Sequence, residues 1–282
     1  MTNQSRKWVR VILGAAMLWT MAGCANRQKP SAMSGEAGIA SESGESRDAS
    51  STKVYLETFD NGTNGWFDVL GVEPFPPKPL TLKNGAVESC SPWWVDFNHA
   101  PPGGGYLHLI MGLMTNPHWA DAAKEAAGAN KFVVGGFPKD FTNARLTIRS
   151  KGELDLRGAQ VCLLVQGMVG EICAGWVLTG QPIKLTKDWS VQTITAVYDP
   201  KQWTALGSRH DRTDTYGVID LKTILSDVNI NLYIVLFPLD VVPNAKIQGD
   251  PHRLRAGVDY VADESKLPKG CIMIDSVKIE FP

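Results

Sequence analysis

The chain reads as all-β, a β-sandwich of the jelly-roll kind with short helical insertions. Three observations carry this: short β-rich runs bounded by Gly, Pro, Asn and Asp recur along it, several alternate apolar with polar residues, and helix patterns are sparse. The first run, Val54 to Phe59, closes on the turn residues Asp60-Asn61-Gly62. The second, Tyr106 to Leu113, follows the glycines Gly103 to Gly105, and in the third, Arg145 to Arg149, the apolar residues share one face. Val161 to Val165 and Ile172 to Leu178 flank Gln166-Gly167-Met168-Val169-Gly170, which reads as a hairpin turn. Val191 to Val197 and Ile230 to Phe237 come next, and Ile272 to Phe281 closes the series, with Ile272, Ile274, Val277 and Ile279 on one face apart from a shift near Ser276. Two helices are expected as insertions. One is the Ala-rich stretch Trp119 to Ala129 after Asn116-Pro117, and the other is Asp220 to Val228, which opens on an N-cap-like Asp. Such a list of strands points to two packed sheets rather than to βαβ units. No repeat period is visible, so a solenoid or propeller is not expected.

Before these strands lies an export signal. Arg6, Lys7 and Arg10 precede an apolar run from Val11 to Ala22, interrupted by Thr20. The run is about a dozen residues against the roughly 20 that cross a bilayer. It ends on Met21-Ala22-Gly23-Cys24, which resembles the lipobox of bacterial lipoproteins with Met21 in the place of the usual Leu. The resemblance implies that Cys24 carries a diacylglyceryl group, that residues 1–23 are removed, and that the new amine is acylated, palmitate being the expected chain. Two or three acyl chains anchor a protein where one holds only marginally. Ala25 after the cysteine implies an outer-membrane destination within the cell envelope. An ordinary cleaved secretory signal is the alternative.

Residues 24–53 are rich in Ser and Gly and too polar to form a core, so they read as a flexible tether with a typical end separation of roughly 30 Å. Residues 54–282, roughly 230 in number, suffice for one domain with a proper core. The formal charge is −1, and loss of the cationic Arg6, Lys7 and Arg10 takes it to −4. That balance, with no basic stripe, argues against a nucleic-acid partner. Apart from Cys24 there are Cys90, Cys162, Cys173 and Cys271, an even number in an exported chain. Three pairings are open, Cys162 with Cys173 across the hairpin among them. Four small buried thiols are the alternative, and the spacings match no zinc pattern.

Phe59-Asp60-Asn61-Gly62 followed by Gly65-Trp66 resembles the opening of bacterial jelly-roll modules of the galactose-binding-like and carbohydrate-binding kinds. Ile274-Asp275-Ser276-Val277-Lys278-Ile279 resembles their closing strand. The resemblance implies that first and last strands lie side by side, that the ligand is a glycan, and that a structural calcium ion sits near their junction. Glu57, Asp60 and Asp275 would supply its hard oxygen ligands. The long insertions in the middle depart from the pattern.

The densest polar and aromatic cluster runs from Ser91 to His108 and contains Trp93, Trp94, Asp96, Asn98, His99, Tyr106 and His108. Aromatic faces stack on sugar rings while short polar groups fix hydroxyls, which is the chemistry of a glycan site. The alternative is a structural loop with tryptophan plugging one end of the sandwich. Arg209-His210, within the run to Tyr216, and His252, within Asp250 to Arg255, add arginine forks suited to acidic groups.

Catalysis has a weaker signal. Laminarinase-like jelly-roll glycosidases carry Glu-x-Asp-x-x-Glu, and Glu153-Leu154-Asp155-Leu156-Arg157-Gly158 has glycine where the third acid belongs. A lyase using His99, His108, His210 and Tyr106 stays open, as does a structural or interaction role in the envelope. The leading expectation is a lipid-anchored, non-catalytic carbohydrate-binding sandwich.

Overall fold

A computed structural model describes residues 52–69, 77–96, 105–208, 213–243, 260–261, 263 and 265–282. They belong to one unit, Ala49–Pro282. The signal segment, Cys24 and nearly all of the tether lie outside the described residues. So do Asn98, His99, Arg209, His210 and His252.

The strands are β1 (Val54–Glu57), β2 (Trp66–Asp68), β3 (Thr81–Lys83), β4 (Ala86–Cys90), β5 (Trp94–Asp96), β6 (Tyr106–Met114), β7 (Arg145–Asp155), β8 (Gln160–Val169), β9 (Ile172–Val177), β10 (Ser190–Thr195), β11 (Thr204–Ala205), β12 (Asn231–Leu239), β13 (Val242–Pro243), β14 (Tyr260–Val261) and β15 (Lys269–Glu280). Among the described residues three α-helices interrupt them, α1 (Pro117–Ala127), α2 (Lys131–Val134) and α3 (Leu221–Ser226), with one 3-10 turn at Pro200–Gln202. The protein is an all-β sandwich. One antiparallel sheet runs β10-β7-β15-β4-β3 with β1 also on β15, the second runs β11-β9-β8-β12-β6-β2 with β5 also on β6, and β13 pairs with β14 apart from both. As the opening and closing motifs imply, β1 pairs with β15, from Val54 opposite Glu280 to Glu57 opposite Val277.

The first sheet follows from alternation. Leu146, Ile148 and Ser150 of β7 are buried while Thr147, Arg149 and Lys151 turn outward. In β15 the register against β7 slips between Ile274 and Ser276. This β-bulge around Asp275 resolves the shift near Ser276, because one extra residue returns Val277 and Ile279 to the core side. A disulfide joins Cys90 of β4 to Cys271 of β15, which are opposite each other in the register.

The second sheet is apolar on both faces, so β6, β8 and β12 read as continuous hydrophobic runs. Leu163, Val165, Leu232, Ile234 and Leu236 join Ile148, Ile272 and Ile274 of the first sheet in the core between the sheets. Leu109, Cys162, Leu164, Val235 and Phe237 form a second apolar layer on the other side, with Ala120, Ala123 and Ala127 of α1. Helix α1 starts where Asn116 caps the His118 N–H and Pro117 occupies the first turn. Asp220 caps α3 in the same way.

Cys162 and Cys173 are buried and form no disulfide. The pairing considered across the β8–β9 hairpin is absent because the turn comes later than the glycines suggest. Met168, not Cys162, stands opposite Cys173. Cys162 packs in the second apolar layer, where burial pushes its thiol up to about 12.

Candidate functional site

The polar and aromatic cluster of the sequence is divided by the sheet that carries it. Trp93 is 2% exposed, and with Val95 and Tyr106 it belongs to the core between the sheets. Its indole Nε1 donates to Ser89 Oγ at 2.9 Å, and its ring lies 6.0 Å from that of His108, which is also buried. Trp93, Tyr106 and His108 are therefore interior side chains, and the loop-face reading of them is corrected: the alternation of β5 and β6 turns them inward. Asp96 stands opposite Leu107 on the other face and is buried there. The Trp94 backbone pairs with Leu109, and its side chain lies outside the description.

Behind Trp93 runs a polar chain that sequence reasoning missed. Ser89 Oγ lies 3.1 Å from the Ile110 carbonyl and 3.5 Å from Asp68 Oδ1, and Asp68 Oδ1 accepts the Val69 N–H at 2.7 Å. Burial pushes the Asp68 carboxyl up from 3.8 to about 6, against the lowering effect of the Val69 and Ser89 hydrogen bonds and the Lys78 charge. A carboxyl raised in the folded state binds its proton there more tightly than in the unfolded chain. Its contribution to stability therefore falls as pH climbs from about 4 to about 6 and stays low above that. Asp68→Asn is expected to gain about 1–3 kcal/mol at about pH 8 and little at about pH 4, read by denaturant unfolding at the two pH values. An equal effect at both would refute the assignment.

The calcium ligands implied by the terminal motifs do not converge. Among the described residues no group of three acidic, His or Cys side chains can hold a metal ion. Glu57 turns inward beside Tyr55 and is buried, Asp60 is exposed, and Asp275 pairs outward with Arg149, Nη1 to Oδ1 at 2.6 Å. The acidic pair Glu153 and Asp155 is likewise committed, to Lys187 at 3.0 Å and to Arg157 at 2.6 Å.

The solvent-facing side of the first sheet holds a constellation that the sequence reading passed over. Trp189 immediately precedes β10, where Val191 pairs with Arg149 of β7. Its half-buried ring has the Arg149 guanidinium 4.7 Å and the Lys151 ammonium 4.8 Å from its centroid. The segment before Trp189 is fixed by the Gly152 N–H donating to Thr186 O at 2.9 Å and the Thr186 hydroxyl donating to Asp188 O at 2.7 Å. Only glycine fits at 152, since a Cβ there would lie 2.8 Å from the Cys271 carbonyl and 3.2 Å from Leu185 Cδ1. Further along the same strands, beyond the Val191–Arg149 pair, Thr147 Oγ1 and Thr193 Oγ1 are 2.8 Å apart and exposed, and Val191 is 64% exposed. Among the described residues no carboxylate pairs with Lys151. The surface thus offers a half-buried aromatic ring just ahead of β10, a guanidinium tied to a carboxylate and an ammonium on β7, and two hydroxyls on β7 and β10. It can bind and orient a polar ligand, and it contains no nucleophile held against a base.

No known protein family matches the chain, and no curated protein matches it. Among solved structures it is similar to the carbohydrate-binding module CtCBM11 in solution. The identity is 13%, over 83% of this chain and 98% of that one, with a TM-score of 0.33. It is also similar to a structure from work on endo-acting O-glycanases that human gut bacteria express to initiate mucin breakdown: 11% identity, 80% of this chain and 98% of that one, TM-score 0.31. A third is the CBM2 module of the evolved Dit of Lactobacillus casei BL23 phage J-1, at 12% identity, 82% and 96% coverage and a TM-score of 0.26. TM-scores this low carry no argument about function.

Proposed function

We propose that this chain is a lipid-anchored protein of the bacterial cell envelope whose β-sandwich binds carbohydrate without catalysis. The anchor rests on Met21-Ala22-Gly23-Cys24 behind the charged and apolar segments, and Ala25 favours the outer membrane. The polar run after it displays the domain away from the headgroups.

The binding reading rests on one observation, the Trp189 ring flanked by Arg149 and Lys151 on an open sheet face. Sugars present C–H faces that stack on indole and hydroxyls that need fixed donors and acceptors. Arg149, Lys151, Thr147 and Thr193 supply the donors, and the Asp275 carboxylate and the threonine hydroxyls supply acceptors. A half-buried ring loses little freedom on binding, because the two cations and the Thr186 turn already hold it.

The test is a glycan array followed by affinity electrophoresis on the glycans retained. Trp189→Ala should weaken binding roughly tenfold, corresponding to about 1–1.5 kcal/mol, with the melting temperature little changed. Lys151→Ala should weaken it further for acidic glycans. Retention identical to wild type in both variants would remove this face from the proposal.

A further inference from the structure

Glu57 ends β1 with its carboxylate turned into the protein, 1% exposed. The chain from Thr58 to Gly65 wraps around it. Phe59 and Asn64 take left-handed backbone conformations at φ 59° and 48°, and Gly62 and Gly65 have φ 114° and 101°. Glu57 Oε1 accepts three N–H groups, from Thr58 N at 3.0 Å, Phe59 N at 2.9 Å and Asn64 Nδ2 at 3.0 Å. Oε2 is buried and accepts no hydrogen bond.

The group that faces Oε2 is the Lys131 ammonium, 3.5 Å away. Lys131 Nζ also donates to the Leu56 carbonyl and lies 6.0 Å from the Tyr55 ring centroid. It thus meets a carboxylate oxygen and a backbone carbonyl, oxygens of the kind a hard divalent cation takes. Its position is fixed from both sides. The Lys131 N–H donates to Asn64 O at 3.0 Å, Asn130 Nδ2 to Met114 O at 2.8 Å, and Gly65 N–H to Ala127 O at 2.8 Å. A Cβ at Gly65 would lie 2.7 Å from Asn130 Cα, so the loop and the α1–α2 junction are in direct contact.

We infer that the Lys131 ammonium occupies the place of a structural cation at the Glu57 loop, so that the sandwich carries its own positive charge there and needs no metal. Both groups that could recruit a cation, Glu57 Oε2 and Leu56 O, are taken by a side chain that reaches them from α2. A carboxylate buried without its counter-charge is strongly unfavourable, and shortening Lys131 leaves that situation. The vacated space presents Glu57 Oε2 and the Leu56 carbonyl, two oxygens of the kind calcium binds, with the remaining ligands left to water.

Thermal unfolding of the full chain, with excess calcium or with EDTA, tests this. Wild type should melt at the same temperature in both. Lys131→Ala should melt on the order of 5 °C lower in EDTA and recover at least half of that shift with calcium. Lys131→Arg, which retains a cation, should stay indifferent to calcium. Adding Glu57→Gln to Lys131→Ala should abolish the calcium response. A wild-type melting temperature that falls in EDTA would overturn the inference. So would a Lys131→Ala chain that melts like wild type, or one that is lowered and gains nothing from calcium. Should the alanine variant fail to fold without metal, folding restored by calcium supports the inference and failure in both conditions refutes it.

Discussion

Trp93→Ala should lower stability by about 3–5 kcal/mol, the range for removing a large aromatic from a packed core. The side chain is 2% exposed and lies among Val95, Tyr106 and Ile110 in the core between the sheets. Its loss leaves a cavity and takes away the indole donor to Ser89 Oγ, while Ser89 keeps the Ile110 carbonyl. Urea unfolding should show the midpoint shifted with the slope little changed. Any loss of glycan retention should track the unfolded fraction. That separates it from Trp189→Ala, where binding falls and the midpoint holds. A Trp93→Ala chain with wild-type stability would place the side chain outside the core and contradict the fold.

Removing the Cys90–Cys271 disulfide should cost about 2–5 kcal/mol. The bridge closes a loop with a sequence separation of 181, for which chain entropy alone gives about 5 kcal/mol. Residual structure in the unfolded chain reduces the effect. The bond ties β4, and through it β3, to the middle of the first sheet. A Cys90→Ser/Cys271→Ser double variant and the reduced wild type should unfold at the same lower urea concentration. Equal midpoints for oxidised and reduced wild type would show that the bond does not constrain the chain. Cys162 and Cys173 should label only after unfolding, since both are buried.

The long strands were legible because their side chains alternate or run apolar over six or more residues. Arg145 to Arg149 and Ile272 to Phe281 both appear where expected, and the shift near Ser276 proved to be a bulge. β2, β3 and β5 have three residues each, too few for a period to emerge. The same shortness makes Trp93 look like a loop residue facing a ligand. Nothing local says whether Trp93 or Asp96 turns inward, and the answer comes from the pairing of Val95 with His108. Trp189 was hidden for a related reason. Its partners Arg149 and Lys151 lie on β7, and only the register of Val191 against Arg149 brings the three together. The terminal motifs point to Glu57 and imply a cation shared with the acidic Asp60 and Asp275. The lysine that meets Glu57 lies 74 residues further on, in a four-residue helix too short for an apolar period to show.

β15 has a consequence for the order in which the molecule can form. It pairs with β1, β4 and β7, so it is the strand around which the first sheet is arranged, yet it follows all of them in the chain. A polypeptide emerging N-terminus first would hold β1, β4 and β7 without the strand that joins them, and Cys90 without its partner. Loop closure over such distances comes before the contacts that reward it, so folding is expected to be slow and late. The strands of the second sheet all precede β15, so that sheet can pair first, and closure of the first sheet around β15 becomes the last step of assembly.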